Sequence, residues 1–362
     1  MALIGETFPH WLVSIIWMLG GVALAVRKLL TMIPVVNELV FWLYAPRLSA
    51  DELNDPVVHR AAMLEIERQF TKQHLDFPVE HEFVAVESDV HLHVVHAGDK
   101  KKPLMLFLHG FPEFYFSWRH LLREFSKDFQ CVAVDQRGYS ISSKPRKFTD
   151  YCIKNLVTDV ETLVGKLGYA DCVLVAHDWG GNVAWHVAHA TNVVNRLVMF
   201  NMPHPSIFVK ALRTSSIQRK LSLYILFFQL PFTPDAALAR GNGRGVANLI
   251  LSDLKTAKRE TRDADAFARA ANQPGAVTAA LNWYRAALNS SPARKWLRKQ
   301  IEVPVLYVNG MDDVAFDSPF MLKKEGFDKY CANVKIVPLS NCSHWTANDR
   351  PDKCIEEMRK WL

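Results

Sequence analysis

Cysteine is scarce in this chain, and no two cysteines stand in a CxxC. Six of them (Cys131, Cys152, Cys172, Cys331, Cys342 and Cys354) are scattered over 362 residues, which argues against a disulfide framework or a zinc site and for reduced, packed thiols. Charge of one sign is also thin. The net charge is +6, but no basic run exceeds Lys100-Lys101-Lys102, so a nucleic-acid footprint is not indicated. The glycine-rich turn from Arg240 to Gly245 follows no strand and lacks GxGxxG spacing, which argues against a dinucleotide site and for a mobile loop. Internal repeats and low-complexity segments are missing as well. His91, His93 and His96 fall in one strand-like run without a carboxylate or cysteine at metal spacing, so no metal is expected there. The chain does have enough length and apolar content, 49%, for a large core and a membrane segment.

That segment is Trp11 to Val26, sixteen residues without charge, closed by Arg27 and Lys28. Phe8 to His10 can extend it toward the ~20 residues that span a bilayer. Positive charge follows the apolar run and does not precede it, which favours an uncleaved anchor over a signal peptide and places the bulk of the chain in the cytosol. A single-pass anchor is expected, in the endoplasmic reticulum membrane. Residues 1–44 are read as anchor and juxtamembrane helix, and 45–80 as a linker with one helix over Val57 to Phe70.

Beyond residue 80 strands and helices alternate. Glu82 to Glu87 and Val90 to Val95 suggest a hairpin; Leu104 to Leu108, Cys131 to Val134, Cys172 to Val175, Arg196 to Phe200 and Val303 to Val308 are short apolar runs suited to strands buried on both faces. This is the α/β pattern of a mostly parallel sheet covered on both sides. It fills residues 81–202 and 303–362, interrupted by a helix-rich block at 203–302 with helices expected over Ser215 to Gln229, Val246 to Lys255 and Thr278 to Leu288.

In VAHDWGGNVAWH, residues 175 to 186, an Asp occupies the strand-to-helix turn. The small-x-nucleophile-x-small spacing of Ala176, Asp178 and Gly180 describes an elbow that lifts the central side chain above the sheet and frees N–H groups of the helix start. The other role for such an Asp is a helix cap. Two further groups follow in the order that a triad on this architecture requires: Asp312 or Asp313 after a buried strand, and His344 before the last helix.

HGFPE (His109 to Glu113), DQRGYS (Asp135 to Ser140), AHDWGG (Ala176 to Gly181), NWYR (Asn282 to Arg285) and SHW (Ser343 to Trp345) together resemble the epoxide hydrolases of the α/β-hydrolase fold. The N-terminal apolar run is similar to that of the membrane-anchored animal types. The likeness covers about residues 75 to 362 and implies a helical lid, no metal and no organic cofactor. It implies Asp178 as nucleophile, His344 as base, Asp313 as acid, Tyr224 and Tyr284 as lid acids, and the N–H groups of Phe111 and Trp179 as an oxyanion hole. HDWGG alone is shared with haloalkane dehalogenases, which leaves that chemistry as an alternative, as is a silent interaction protein on the same scaffold.

The residue type makes chemical sense. Serine attacking an epoxide carbon would leave an ether, whereas a carboxylate leaves an ester that water can cleave. The opening ring also needs a proton, and a phenol with a pKa near ~10 is protonated at neutral pH. The implied substrate is a small-molecule epoxide, and a membrane location suggests lipid epoxides such as epoxy fatty acids.

Overall fold

The structure, a computed structural model, describes residues 56–255, 261–289 and 296–362. The expected anchor and residues 45–55 of the linker lie outside these residues. Among the described residues no helix is long and apolar enough to cross a membrane.

Helix α1 (Pro56–His74) leads into the hairpin β1 (Glu80–Ala85) and β2 (His91–Ala97). β3 (Leu104–Leu108), α2 (Arg119–Phe125), β4 (Gln130–Asp135), α3 (Ile153–Lys166), β5 (Cys172–His177), α4 (Asp178–Ala190) and β6 (Val194–Phe200) then alternate. The block after β6 holds α5 (Pro205–Thr214), α6 (Ser216–Leu221), α7 (Leu223–Phe227), α8 (Thr233–Ala239), α9 (Arg244–Asp253), α10 (Thr261–Ala271) and α11 (Ala276–Asn289). β7 (Val305–Gly310), α12 (Ser318–Met321), α13 (Lys324–Phe327), β8 (Val334–Leu339), α14 (Thr346–Asp349) and α15 (Pro351–Trp361) follow.

The strands form one sheet in the order β1-β2-β4-β3-β5-β6-β7-β8. β1 and β2 pair antiparallel, β2 meets β4 antiparallel, and every later pairing is parallel. β3, β4, β5 and β7 are buried along their whole length, as strands covered by helices on both faces must be. Because parallel strands run the same way, the loops after β3, β5 and β7 open at one edge of the sheet. The register keeps those ends level: Leu108 lies beside Ala176, and Phe200 beside Val308.

Three local expectations need correction. Ser215 to Gln229 is not one helix: α6 and α7 are separated at Ser222, whose φ of −91° and ψ of 3° depart from helical geometry. Arg240 to Gly245 is not a free loop. Gly243, at φ +86°, packs so closely on α10 that a Cβ would lie 2.2 Å from the Ala268 carbonyl oxygen, and α9 begins at the next residue. β8 is a strand the sequence pattern does not mark, because VKIVPL carries a lysine and a proline among its apolar residues. It is the outer strand, where a missing N–H is tolerated.

The histidine-rich strand β2 supplies a hydrogen-bonded chain. His93 Nδ1 meets Asp135 Oδ2 at 2.8 Å, its Nε2 meets His81 Nδ1 at 3.0 Å, and His81 Nε2 meets Thr71 Oγ1 at 3.0 Å. Both ring nitrogens of both histidines are thereby engaged, and burial pushes His81 down to about 3.

Arg137 anchors the loop after β4. Its guanidinium is buried, doubly bonded to Asp159 of α3 at 2.8 and 2.6 Å, and bonded to Glu87 at 2.6 Å. Removing Asp159 leaves the buried guanidinium with the exposed Glu87 as its charged partner and takes away both of its bonds to α3. Asp159→Ala is expected to cost about 3–5 kcal/mol, seen as a lower urea midpoint with an unchanged slope; a shift below about 1 kcal/mol would show that the pair is dispensable.

Candidate active site

Asp178 is the first residue of α4 and adopts φ +47°, a left-handed conformation uncommon for a side chain with a Cβ. The turn holds because its neighbours are small. A Cβ on Gly180 would lie 2.3 Å from the Leu108 carbonyl oxygen, and one on Gly110 would lie 2.5 Å from the Asp178 Cβ. Ala176 sits inside β5, fully buried between Leu108 and Met199, so a methyl group fits where the elbow pattern ordinarily has glycine. The Asp178 carboxylate is aimed at the loop after β3, where the Phe111 N–H donates to its Oδ1 at 2.8 Å. Trp179 follows within the first turn of α4, where N–H groups lack intrahelical partners.

His344 lies behind this carboxylate, with Nε2 3.5 Å from Asp178 Oδ2 and Nδ1 2.9 Å from Asp313 Oδ2. Of the two candidate acids, Asp313 is buried against the histidine while Asp312 is exposed. Asp313 is fixed in turn: its Oδ1 accepts from the N–H groups of Ala315 and Phe316 at 2.6 and 3.0 Å, and its Oδ2 accepts from the Asn201 amide at 2.7 Å. Burial alone would lower the His344 pKa, but the charges and hydrogen bonds of Asp313 and Asp178 outweigh it and hold the imidazole well above its ordinary value. Burial likewise works against the Asp178 carboxylate, and the hydrogen bond and charge of His344 overcome it, so its pKa lies below the ordinary carboxylate value. In the resting site the pair is therefore imidazolium and carboxylate.

The lid brings two phenols over the same point. Tyr224 on α7 and Tyr284 on α11 stand with ring centroids 5.9 Å apart at 80°. Tyr284 also packs edge-on against Trp179 at 4.9 Å and Phe111 at 5.0 Å. The rest of NWYR explains why Tyr284 faces inward. Trp283 Nε1 donates to the Arg137 carbonyl at 2.9 Å, while Arg285 bonds Asp235 at 2.5 Å and the Phe228 carbonyl at 3.3 Å. Its neighbours on either side thus grip the sheet-edge loop and the lid. Burial, with the nearby Asp178 charge adding to it, raises the pKa of Tyr224; burial with the Tyr224 and Asp178 neighbours raises that of Tyr284.

The model of the family described by the alpha/beta hydrolase fold matches residues 103–351. Epoxide hydrolase 4 of Mus musculus is 34% identical over 273 residues, covering 74% of each chain. Epoxide hydrolase 3 of Xenopus tropicalis is 34% identical over 288 residues, covering 76% of each. A crystal structure of a Bacillus megaterium epoxide hydrolase with an inhibitor superposes with a TM-score of 0.68 at 31% identity, covering 78% of this chain and 99% of that one. The chain belongs to the epoxide hydrolases of the α/β-hydrolase fold.

In this epoxide hydrolase a cavity of about 810 Å³ joins the elbow to the surface, with Asp178, Trp179, Tyr224 and Tyr284 among its lining residues. Its remaining walls are largely apolar, including Met202, Phe208, Ile225 and Leu297. Of the seven residues singled out from the sequence, Asp178, Trp179, Tyr224 and Tyr284 line this cavity, while Phe111 and His344 adjoin the Asp178 carboxylate and Asp313 adjoins His344.

Other members of the site escaped the sequence reading. Asn201, at the end of β6, bonds Asp313, and Asp253 at the end of α9 accepts the His344 N–H at 3.3 Å. Neither stands in a pattern that marks it. Glu113 closes the HGFPE motif. It is buried, bonds His177 Nδ1 at 2.6 Å and accepts from Asn348 at 3.0 Å, while His177 Nε2 meets the His344 carbonyl at 2.9 Å. These bonds fix the loop that carries His344.

Proposed function

We propose that this enzyme opens epoxides in two steps through an ester on Asp178. The observation that carries the reading is a single carboxylate flanked by His344 on one side and faced by two phenols across an apolar cavity. In the first step Asp178 Oδ2 attacks an epoxide carbon, the ring C–O bond breaks, and the resulting alkoxide takes a proton from Tyr224 or Tyr284. The other oxygen, Oδ1, stays on the Phe111 N–H. The tyrosinate then regains a proton while the His344 imidazolium gives one up, and in the second step the neutral His344 takes a proton from water as that water attacks the Asp178 carbonyl carbon. Negative charge builds on Oδ1, where Phe111 and the amino end of α4 stabilise it. Collapse of this intermediate releases a vicinal diol and restores the carboxylate. Asp313 orients His344 and stabilises its charged form throughout.

Lipid epoxides such as epoxy fatty acids fit the reading best. The cavity is large and mainly apolar, and the uncharged run Trp11 to Val26 supports a tether in the endoplasmic reticulum membrane with the catalytic part toward the cytosol. A higher kcat/KM for small soluble epoxides than for long-chain ones would refute this substrate assignment.

A single turnover in ¹⁸O-enriched water, with enzyme in excess, tests the chemistry. The oxygen added to the diol in the first cycle comes from Asp178 and is therefore ordinary, and heavy oxygen enters from the second cycle onward. Full labelling of the first-cycle diol would mean direct attack by water and would end the ester mechanism.

A further inference from the structure

Large apolar side chains are exposed at few places among the described residues: Ile66, Val209, Ile217, Leu288 and Val314. Their distribution is uneven. Val209 and Leu288 line the outer part of the active-site cavity. Ile217 is on α6, the helix after the one that carries Val209. The loop that carries Val314 is bonded to α6, since Gln218 Nε2 donates to the Ala315 carbonyl at 2.8 Å and accepts, through Oε1, from the Asp317 N–H at 2.9 Å. Four of the five therefore lie on segments around one opening.

Charge on the same side is mainly positive. Besides Asp178 at its buried end, the charged side chains lining the cavity are Lys210, Arg213 and Lys329, all of them exposed. Lys220 on α6, seven residues beyond Arg213, is exposed as well. Of the nearby acids, Asp317 accepts from the Ser215 hydroxyl at 2.6 Å, and Glu325 and Asp328 lie among Lys323, Lys324 and Lys329. Apolar side chains interspersed with lysine and arginine match the chemistry of a bilayer surface: the former enter the headgroup boundary and the latter meet anionic lipid.

The geometry points to the rim formed by α5, α6 and the outer end of α11 as a docking face for an anionic lipid bilayer, with the cavity mouth held against the lipid. A substrate dissolved in the membrane then reaches Asp178 without crossing water. Docking concerns where the mouth faces and does not depend on the ester chemistry.

Hydrogen exchange of the full chain tests it, with vesicles of phosphatidylcholine alone or with phosphatidylserine added. Vesicle attachment by itself is not the readout, because residues before α1 can supply it. Amides of residues 205–221 are expected to exchange about fivefold more slowly with the anionic vesicles, a factor that corresponds to one basic contact at a charged surface, while those of α15 are unchanged. Ile217→Asp combined with Lys220→Glu, neither of which lines the cavity, should remove that protection and leave turnover of a small soluble epoxide intact. If the double variant is poorly folded, Lys220→Gln alone should reduce the protection. Equal protection in both vesicle types, protection that survives these variants, or no protection at 205–221 would overturn the proposal. Since none of these readings measures turnover, failure here is separable from failure of the ester mechanism.

Discussion

His344→Gln is expected to convert the enzyme into a trap, with an adduct of substrate mass accumulating on the peptide that contains Asp178, while Asp178→Ala forms no adduct and loses turnover by about 10⁴-fold or more. The two variants separate the two steps. Ring opening needs the Asp178 carboxylate and a proton donor from the lid, whereas release of the diol needs a base near the ester. The resting pair has the wrong proton distribution for the second step, because Asp313 and Asp178 together hold His344 as an imidazolium. Alkylation corrects this by itself. Once Asp178 is a neutral ester, one of the two charges that raise the His344 pKa is gone, and the imidazole can lose its proton and act as base. Ester decay should therefore speed up with rising pH through the pKa of His344 in the alkylated enzyme. Ring opening should stay level from about pH 6 to 9, since its carboxylate is held below and its phenols above their ordinary values. Rapid quenching followed by intact-mass measurement reads both rates. An Asp178→Ala enzyme with substantial turnover, or a His344→Gln enzyme with no adduct, would contradict this account.

The parts of this site that were legible in the sequence are those whose signal is local. β3 to β7 show as apolar runs because strands buried on both faces contain little else, and the elbow shows because its turn requires small residues at fixed offsets from Asp178. The choice between Asp312 and Asp313 is different. One residue of offset sends a side chain to opposite sides of the chain, and the side facing His344 is decided by the N–H groups of Ala315 and Phe316 that receive the Asp313 carboxylate. Asn201 and Asp253 were not legible for a related reason. Asn201 is 112 residues from the acid it holds, and Asp253 is 91 residues from the histidine whose N–H it accepts, so nothing nearby in sequence announces either. The break between α6 and α7 was also hidden, since the residues around Ser222 favour helix locally. Ser222 is buried there, its hydroxyl accepting from the Gln218 amide at 2.9 Å, and the short helix that carries Tyr224 begins at the next residue.

Tyr224→Phe combined with Tyr284→Phe should slow ring opening by about 10⁴-fold, against only about 10-fold for either change alone, with the fold retained. The inequality follows from the geometry. With ring centroids 5.9 Å apart and both rings on the wall opposite Asp178, either phenol can reach an epoxide oxygen, so one can partly replace the other. Removing both leaves an alkoxide in an apolar cavity without a proton donor, and charge separation in such surroundings is costly. The ester should still form in the double variant, only slowly, and once formed it should hydrolyse at the normal rate, because His344 and Phe111 are untouched. That asymmetry distinguishes acid catalysis from a loss of packing, which would disturb both steps. Rates for the two singles that multiply to give the double would mean independent roles, and a double no slower than the worse single would mean that a single tyrosine supplies the proton. Near-normal ring opening without either hydroxyl would remove the lid phenols from the chemistry and require another source for the proton.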